Sequence, residues 1–224
     1  MMIMGYNVMR KHRSVKGNFK LRWEIIVGFL IFASACSSSA PITANTFDIQ
    51  DGGLLSGIPC GSPCFWNITP GVTTLNQTIE ILKNMGIYES CTRFDYTAES
   101  GRRGLQCSSV TVFLREKADI VSGIGFSPSY DIMLDEIINK YGAPDSVWVT
   151  PLGLPESEPK TSMMIYYDHW LMDIRLAEAD AATYRLEPST KVTNIGYHDE
   201  NSYKAVKRYY TNWKGYGIYD IQMP

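Results

Sequence analysis

The chain has 224 residues, of which 45% are hydrophobic and 20% charged, a composition that excludes a disordered or collagen-like protein. The length allows one or two small domains. Residues 1–35 hold six of the 21 Lys and Arg and one of the 23 Asp and Glu, so the rest of the chain has 15 basic and 22 acidic residues, a net charge of −7. Because phosphate binding depends on Lys and Arg, this acidic remainder argues against a general nucleic-acid or anionic-membrane binder.

The first 35 residues have the pattern of a secretory signal. A basic stretch precedes the apolar segment 25–33, which is too short for a membrane-spanning helix of about 20 residues. The sequence Ala33-Ser34-Ala35-Cys36 follows and resembles the lipobox of bacterial lipoproteins, except that Ala33 stands where Leu is usual. The resemblance implies cleavage before Cys36 and acylation of Cys36, with palmitate as a candidate acyl group. Ordinary cleavage after Ala35, or an uncleaved anchor, is the alternative.

This leader also predicts where the mature protein is located. The sequence Ser-Ser-Ser-Ala-Pro after Cys36 is typical of a flexible tether, which we predict over residues 36–59. We therefore expect a lipid-anchored protein at the cell membrane that faces outside the cytoplasm.

The cysteine count fits an exported protein. Five cysteines are present, and four remain once the lipid site is set aside, which allows three pairings. The turn sequence Ala-Glu-Ser-Gly lies midway between Cys91 and Cys107, so a hairpin centred there places these two cysteines opposite each other. We predict this disulfide and a second one between Cys60 and Cys64. A redox or metal role for the second pair is disfavoured, because three residues separate its cysteines and no histidine is nearby.

The first half of the remaining chain has the pattern of a helix followed by strands. Apolar residues at helical spacing predict an amphipathic helix over residues 75–85, with Thr73 or Thr74 as its N-cap and Gly86 at its C-terminal end. Strand-like segments follow at residues 87–96, 104–107, 110–114 and 120–126.

The second half repeats this order. A second amphipathic pattern covers residues 132–141 and ends at Gly142, at an offset of 56 residues from the first. Strand-like segments follow at residues 146–150, 163–167 and 171–176. A lone helix on a small meander buries little apolar surface, so we expect the two halves to join their sheets. The predicted fold is α+β, with two tandem helix-plus-antiparallel-meander halves, residues 60–126 and 127–195, that form one sheet with helices on one face.

The borders of the two helices carry a resemblance to known families. Pro70-Gly71-Val72-Thr73 opens the first helix, and Tyr141-Gly142-Ala143-Pro144 closes the second. Both look like the helix borders of small outer-membrane assembly lipoproteins of the SmpA/OmlA type, which share the helix-then-meander plan with the tandem β-lactamase-inhibitory-protein repeat. The stretch from Cys60 to Thr74 is also similar to uncharacterised lipoproteins of Chloroflexota-type bacteria. Neither resemblance implies a functional residue.

No recognised catalytic motif is present. The sequence has no Gly-x-Ser-x-Gly elbow, phosphate loop or dinucleotide fingerprint, and neither His169 nor His198 has a second metal ligand at zinc spacing. We therefore predict no cofactor, no metal site and no enzymatic activity. A hydrolase built on His198, Asp199 and Glu200 is an alternative, and it requires those groups to converge in a pocket.

The C-terminal segment, residues 196–224, mixes aromatic and cationic side chains. Tyr, Trp and Arg are the side chains that binding hot spots use, and aromatic faces also stack on sugars. The candidate ligand-binding residues are Trp213, Tyr210, Tyr216 and Trp66. The alternative is a short helix near residues 199–209 followed by a terminal strand, with alternate aromatic rings packed on the sheet.

These patterns together favour a non-catalytic, membrane-anchored exported lipoprotein that binds a protein partner or assists envelope assembly. A carbohydrate- or cell-wall-binding module is the alternative. The expected partners are therefore the membrane, through the lipid, and an envelope protein or a glycan. Nucleic acid is not an expected partner.

Overall fold

The computed structural model describes residues 50–95, 103–152, 160–207 and 209–222. All of them belong to the unit Asn45–Pro224, one of the two units into which the chain divides. The signal segment and the lipidation site at Cys36 lie outside the described residues. Within the described part, Asp51 and Leu54 are buried, so the packed chain begins before the end predicted for the tether at residue 59.

The described part of the chain contains both helices and strands. Its α-helices are α1 Leu75–Asn84, α2 Leu134–Tyr141 and α3 Glu200–Val206. Its strands are β1 Thr92–Phe94, β2 Arg103–Cys107, β3 Val110–Leu114, β4 Val121–Phe126, β5 Ile132–Met133, β6 Ser146–Leu152, β7 Lys160–Tyr167, β8 Met172–Leu176, β9 Thr183–Leu186, β10 Lys191–His198, β11 Thr211–Asn212 and β12 Gly217–Asp220. Of the segment predicted as a strand over residues 87–96, the described residues 87–95 form a 3-10 helix at Tyr88–Ser90 and a strand only at β1.

Residues close in the chain set both ends of α1: a capping box at its start and a glycine after its end. The Thr74 hydroxyl accepts a hydrogen bond from the backbone N–H of Gln77, and the Gln77 side chain accepts one from the backbone N–H of Thr74. Leu75 and Leu82 are buried on the helix face that packs on the core. Gly86 follows the helix with a φ of 71°, a conformation that costs glycine little and that ends the helix.

Ten of the strands form one antiparallel sheet. Its order is β1-β2-β3-β4-β10-β8-β7-β6-β11, and β5 also pairs with β10. The late strand β10 therefore lies at the centre, between β4 of the first meander and β8 of the second. The border predicted between the second half and the C-terminal segment falls inside β10, so the sheet is continuous across it. Strands β9 and β12 form a separate two-stranded sheet.

The two faces of the sheet are covered by different helices. On β10, Ile195 and Tyr197 point to one side, which we call the inner face, whereas Gly196 and His198 point to the other, which we call the α3 face. Register with β10 through β8 and β7 places Tyr167 on the inner face.

Helix α2 lies against the inner face, where Tyr141 contacts Tyr167 with ring centroids 6.0 Å apart. Helix α3 lies against the other side, where Tyr203 contacts Tyr166 at 6.3 Å. The prediction placed the helices of the two halves on one face of the sheet, whereas α3, a helix of the C-terminal segment, lies on the opposite face from α2. It does so because α3 follows directly after His198, at the end of a central strand, and its buried Tyr203 packs on the side to which His198 points.

Both predicted cysteine pairs are within disulfide distance. Cys91 and Cys107 extend the β1–β2 register, in which the neighbouring residues Thr92 and Gln106 lie opposite each other. Cys60 and Cys64 close a short loop in front of Phe65, whose ring packs on Phe126 of β4.

The Cys60–Cys64 loop is joined to the inner face of the sheet through Ser62. The Ser62 hydroxyl lies 2.8 Å from the Tyr141 hydroxyl and donates a hydrogen bond to the Tyr197 hydroxyl oxygen at 2.9 Å. Tyr141 in turn donates to the backbone carbonyl of Leu54. This network therefore connects the N-terminal loop, α2 and the central strand.

Candidate functional site

A buried histidine–aspartate pair lies on the α3 face of the sheet. His198 Nε2, at the end of β10, hydrogen-bonds to Asp173 Oδ1 on the neighbouring strand β8, and each side chain is only 10% exposed. In the neutral imidazole, the proton on Nε2 is donated to the carboxylate, and Nδ1 is then a hydrogen-bond acceptor. The pair therefore fixes both the orientation and the tautomer of His198.

Two glycines, which have no Cβ atom, provide the space that this pair occupies. A Cβ atom on Gly196 would lie 2.5 Å from Asp173 Oδ1 and 2.9 Å from His198 Nε2. A Cβ atom on Gly123, in β4, would lie 3.1 Å from His198 Nδ1. The imidazole thus lies across β10 and β4, with Nε2 toward β8 and Nδ1 toward β4.

A cleft of about 530 Å³ opens beside this histidine, between β3, β4 and α3, and we call it the α3 cleft. Its main polar lining residues are Arg115, Ser122, His198, Asp199, Asn201 and Ser202. Its apolar lining residues are Phe113, Leu114, Ala205 and Val206. A cleft of this volume, lined by both apolar and polar side chains, lies in the size range of small-molecule sites.

Asp199 connects the start of α3 to the wall of the cleft. Its carboxylate accepts a hydrogen bond from the backbone N–H of Ser202 at 2.8 Å and forms an ion pair with Arg115 Nε at 2.9 Å. Burial acts to raise the pKa of Asp199, but the hydrogen bonds from Ser202 and Arg115 outweigh it and hold the pKa below its ordinary value. The carboxylate thus caps α3 and orients the Arg115 guanidinium.

The structure brings together two of the three residues of the hydrolase hypothesis. His198 and Asp199 both line the α3 cleft. The Glu200 carboxylate instead accepts a hydrogen bond from Lys204 at 2.6 Å on the exposed side of α3. His169 is exposed and packs edge-on against Trp170.

The predicted aromatic residues of the C-terminal segment are divided between surface and core. Tyr210 and Tyr216 are exposed, whereas Trp213 is half-buried and contacts Tyr219 with ring centroids 6.4 Å apart. Tyr216 stands nearly perpendicular to Trp213, at 77°. The short helix and the terminal strand of the alternative interpretation are both present, as α3 and β12.

Trp66 lies apart from the other predicted aromatic residues. It is half-buried and follows Phe65, which packs on β4, whereas Trp213 follows β11 at the far edge of the sheet. Five strand spacings separate β4 from β11, a distance of about 24 Å. Trp66 therefore does not form one site with Trp213.

The sequence interpretation missed Asp173, Arg115 and the two glycines beside His198. One signal for Asp173 was present: it is a single acid between Met172 and Ile174 in a segment that was predicted as a strand. A carboxylate among apolar residues of a buried strand needs a partner, and the partner came from a strand that is distant in sequence.

Other kinds of site are absent from the described residues. No group of three His, Cys, Asp or Glu side chains among them is arranged to hold a metal ion. No helix within residues 50–95, 103–152, 160–207 and 209–222 is long and apolar enough to cross a membrane. Comparison of the chain with protein-family models, with curated proteins and with solved structures finds no match.

Proposed function

We propose that this chain is an exported, lipid-tethered, non-catalytic module that binds a protein of the cell envelope. The observation that carries the proposal is a concentration of exposed apolar side chains in one short stretch of the chain. Of the seven large hydrophobic side chains that are exposed in the described part of the chain, four lie within residues 209–218. These four, Tyr209, Tyr210, Tyr216 and Ile218, are called the aromatic patch below.

The aromatic patch has the composition of a protein-binding hot spot. Tyrosine combines a large apolar ring with a polar hydroxyl and loses little conformational entropy on binding. The Lys207 ammonium lies 4.5 Å from the ring centroid of Tyr210, and Lys207 also forms an ion pair with Asp168. The ring of Tyr216 packs against Trp213. Rings held in this way need less ordering when a partner binds.

The geometry of the rings favours a protein partner over a glycan at this patch. A sugar ring stacks with its flat side on an exposed aromatic face, and a row of sugars needs several such faces in one plane. Tyr216 is nearly perpendicular to Trp213, and Trp213 packs inward on Tyr219. The patch is therefore uneven, which suits side chains of a protein better than a flat glycan.

The proposed location rests on the leader and on the cysteines. We place the chain at the cell membrane, facing outside the cytoplasm and held by a lipid on Cys36. The two cysteine pairs within disulfide distance support an oxidising compartment, since such bonds persist there.

The strand order supports the proposal of two tandem halves. Each half contributes a helix and a meander, β1 to β4 in the first and β6, β7, β8 and β10 in the second. The last strands of the two meanders, β4 and β10, pair antiparallel at the centre of the sheet. Two related halves joined in this way would bury the faces that one half leaves exposed.

A crosslinking experiment with paired variants tests the proposal. The full-length protein is expressed in its host, Cys36 is analysed by mass spectrometry, and crosslinked partners are recovered from membranes. Tyr210→Ala with Tyr216→Ala is compared with Tyr130→Ala, because Tyr130 is 45% exposed and Tyr216 43%. We expect a lipidated protein that captures a defined envelope protein, and at least tenfold less capture only in the patch variant.

Two results would contradict this proposal. Equal capture by the patch variant and the Tyr130 variant, or no partner at all, excludes the aromatic patch as the binding surface. An unmodified Cys36 thiol in the mature protein excludes the lipid tether.

A further inference from the structure

The α3 cleft is not used by the proposed protein-binding function, and its chemistry points to a ligand of its own. We propose that it binds a neutral saccharide, whose hydroxyl groups both donate and accept hydrogen bonds. The aromatic patch lies beyond the C-terminal end of α3, whereas the cleft lies on the β3–β4 side of this helix. The inference therefore goes beyond the proposed function and does not depend on it.

The cleft presents a hydrogen-bond acceptor whose orientation is fixed. His198 lines the cleft, and Asp173 holds its Nε2. In the neutral imidazole, Nδ1, which lies beside Gly123, therefore carries the free lone pair. No described residue hydrogen-bonds to Nδ1. A ligand that replaces water at this atom has to offer a donor, which a hydroxyl group does.

The cleft also presents donors that are held in place. Arg115 is oriented by its ion pair with Asp199 through Nε, which leaves the donors on its terminal nitrogens for other partners. The side chains of Asn201 and Ser202, from the first turn of α3, also line the cleft. The cleft thus offers both an acceptor and donors. A ligand with several hydroxyl groups, which both donate and accept hydrogen bonds, matches it better than a ligand that only donates or only accepts.

The charges around the cleft argue against an anionic ligand. Arg115 is paired with Asp199, and two further carboxylates are near, that of Glu116 in the lining and that of Asp173, which contacts His198. An anionic ligand would meet these two carboxylates. A neutral ligand avoids this repulsion.

The apolar side of the cleft matches the remaining surface of a sugar ring. Phe113 and Val206 supply carbon surface to the cleft lining beside the polar groups. The C–H groups on the flat side of a pyranose would contact this wall while its hydroxyl groups reach the polar side. The cleft volume of about 530 Å³ lies within the range of 300–1,000 Å³ that is usual for small-molecule sites.

A glycan array with full-length protein in detergent micelles tests the inference. The array carries neutral saccharides, including glucose and N-acetylglucosamine, with glucosamine and glucuronic acid as charged relatives of the same ring. The blocking variant is Ala205→Trp, because Ala205 lines the cleft, and its control is Lys204→Trp, which introduces the same side chain at an exposed neighbour that does not line it. Asn201→Ala removes one hydrogen-bonding side chain without adding bulk.

We expect binding of at least one neutral saccharide and weaker or no binding of the charged sugars. Ala205→Trp should abolish this binding, Lys204→Trp should leave it unchanged, and Asn201→Ala should weaken it about fivefold. No neutral binding, preferential binding of a charged sugar, or undiminished binding by Ala205→Trp would overturn the proposal. Capture of an envelope protein through the aromatic patch should be unaffected by Ala205→Trp, so the two proposals can fail separately.

Discussion

The substitution Ser62→Ala tests how the Cys60–Cys64 loop is held against the sheet. Tyr197 is fully buried, and Ser62 is the one hydrogen-bond partner of its hydroxyl among the described residues. Tyr141, the other tyrosine that Ser62 contacts, keeps a second partner in the Leu54 carbonyl. Removal of the Ser62 hydroxyl therefore leaves one buried hydroxyl, that of Tyr197, without a partner.

The expected cost follows from that single unsatisfied group. A buried polar group that loses its partner costs about 1–3 kcal/mol, and the change from Ser to Ala creates almost no cavity. In a chain of this size, each kcal/mol lowers Tm by about 2–4 °C. We therefore expect Ser62→Ala to reduce the free energy of unfolding by about 1–3 kcal/mol.

Equilibrium urea unfolding with the disulfides intact measures this effect. The variant Tyr197→Phe in the Ser62→Ala background removes the unsatisfied hydroxyl, so the double variant should be more stable than Ser62→Ala alone. A Ser62→Ala protein within about 0.5 kcal/mol of the wild type would refute this reasoning. A double variant no more stable than the single variant would refute it as well.

Two further predictions concern the α3 face. Gly196→Ala should lower the free energy of unfolding by about 1–3 kcal/mol in urea, because its Cβ would lie 2.5 Å from Asp173 Oδ1, whereas Gly125→Ala, whose nearest contact is 3.7 Å away, should cost clearly less. Equal costs for the two glycine variants would contradict the tight fit of the histidine–aspartate pair. Since the folded pKa of Asp199 is lowered by its hydrogen bonds from Ser202 and Arg115, these bonds stabilise the fold fully above the unfolded value of about 3.9, and this stabilisation is lost as the pH falls through the folded pKa. The urea midpoint of Asp199→Asn, which keeps the helix cap, should therefore depend less on pH below about 5 than that of the wild type, and identical pH profiles would exclude this contribution.

Several local features of the fold follow from the sequence. The Thr74 cap, the Gly86 terminus and the hairpin that places Cys91 opposite Cys107 depend on interactions between residues close in the chain. Strand β3 occupies the predicted residues 110–114. Periodicity and turn chemistry act over a few residues, and a single sequence displays them directly.

The candidate site depended on contacts between distant segments. His198 was recognised in the sequence, but its partner Asp173 comes from β8 and the space for its ring comes from Gly123 on β4. These residues meet only because β10 inserts between β4 and β8 in the sheet. A sequence pattern does not specify which strands become neighbours when they are far apart in the chain.

The amino-acid sequence by itself determined the cap and the end of α1, strand segments such as β3, and the two cysteine pairs, because each of these is decided by residues close in the chain. Tertiary structure alone decided that α3 covers the opposite face from α2, and that the C-terminal tyrosines divide between surface and core. The physical reason is that the side of a strand to which a residue points has meaning only after the strand has joined a sheet and the sheet has packed against its helices.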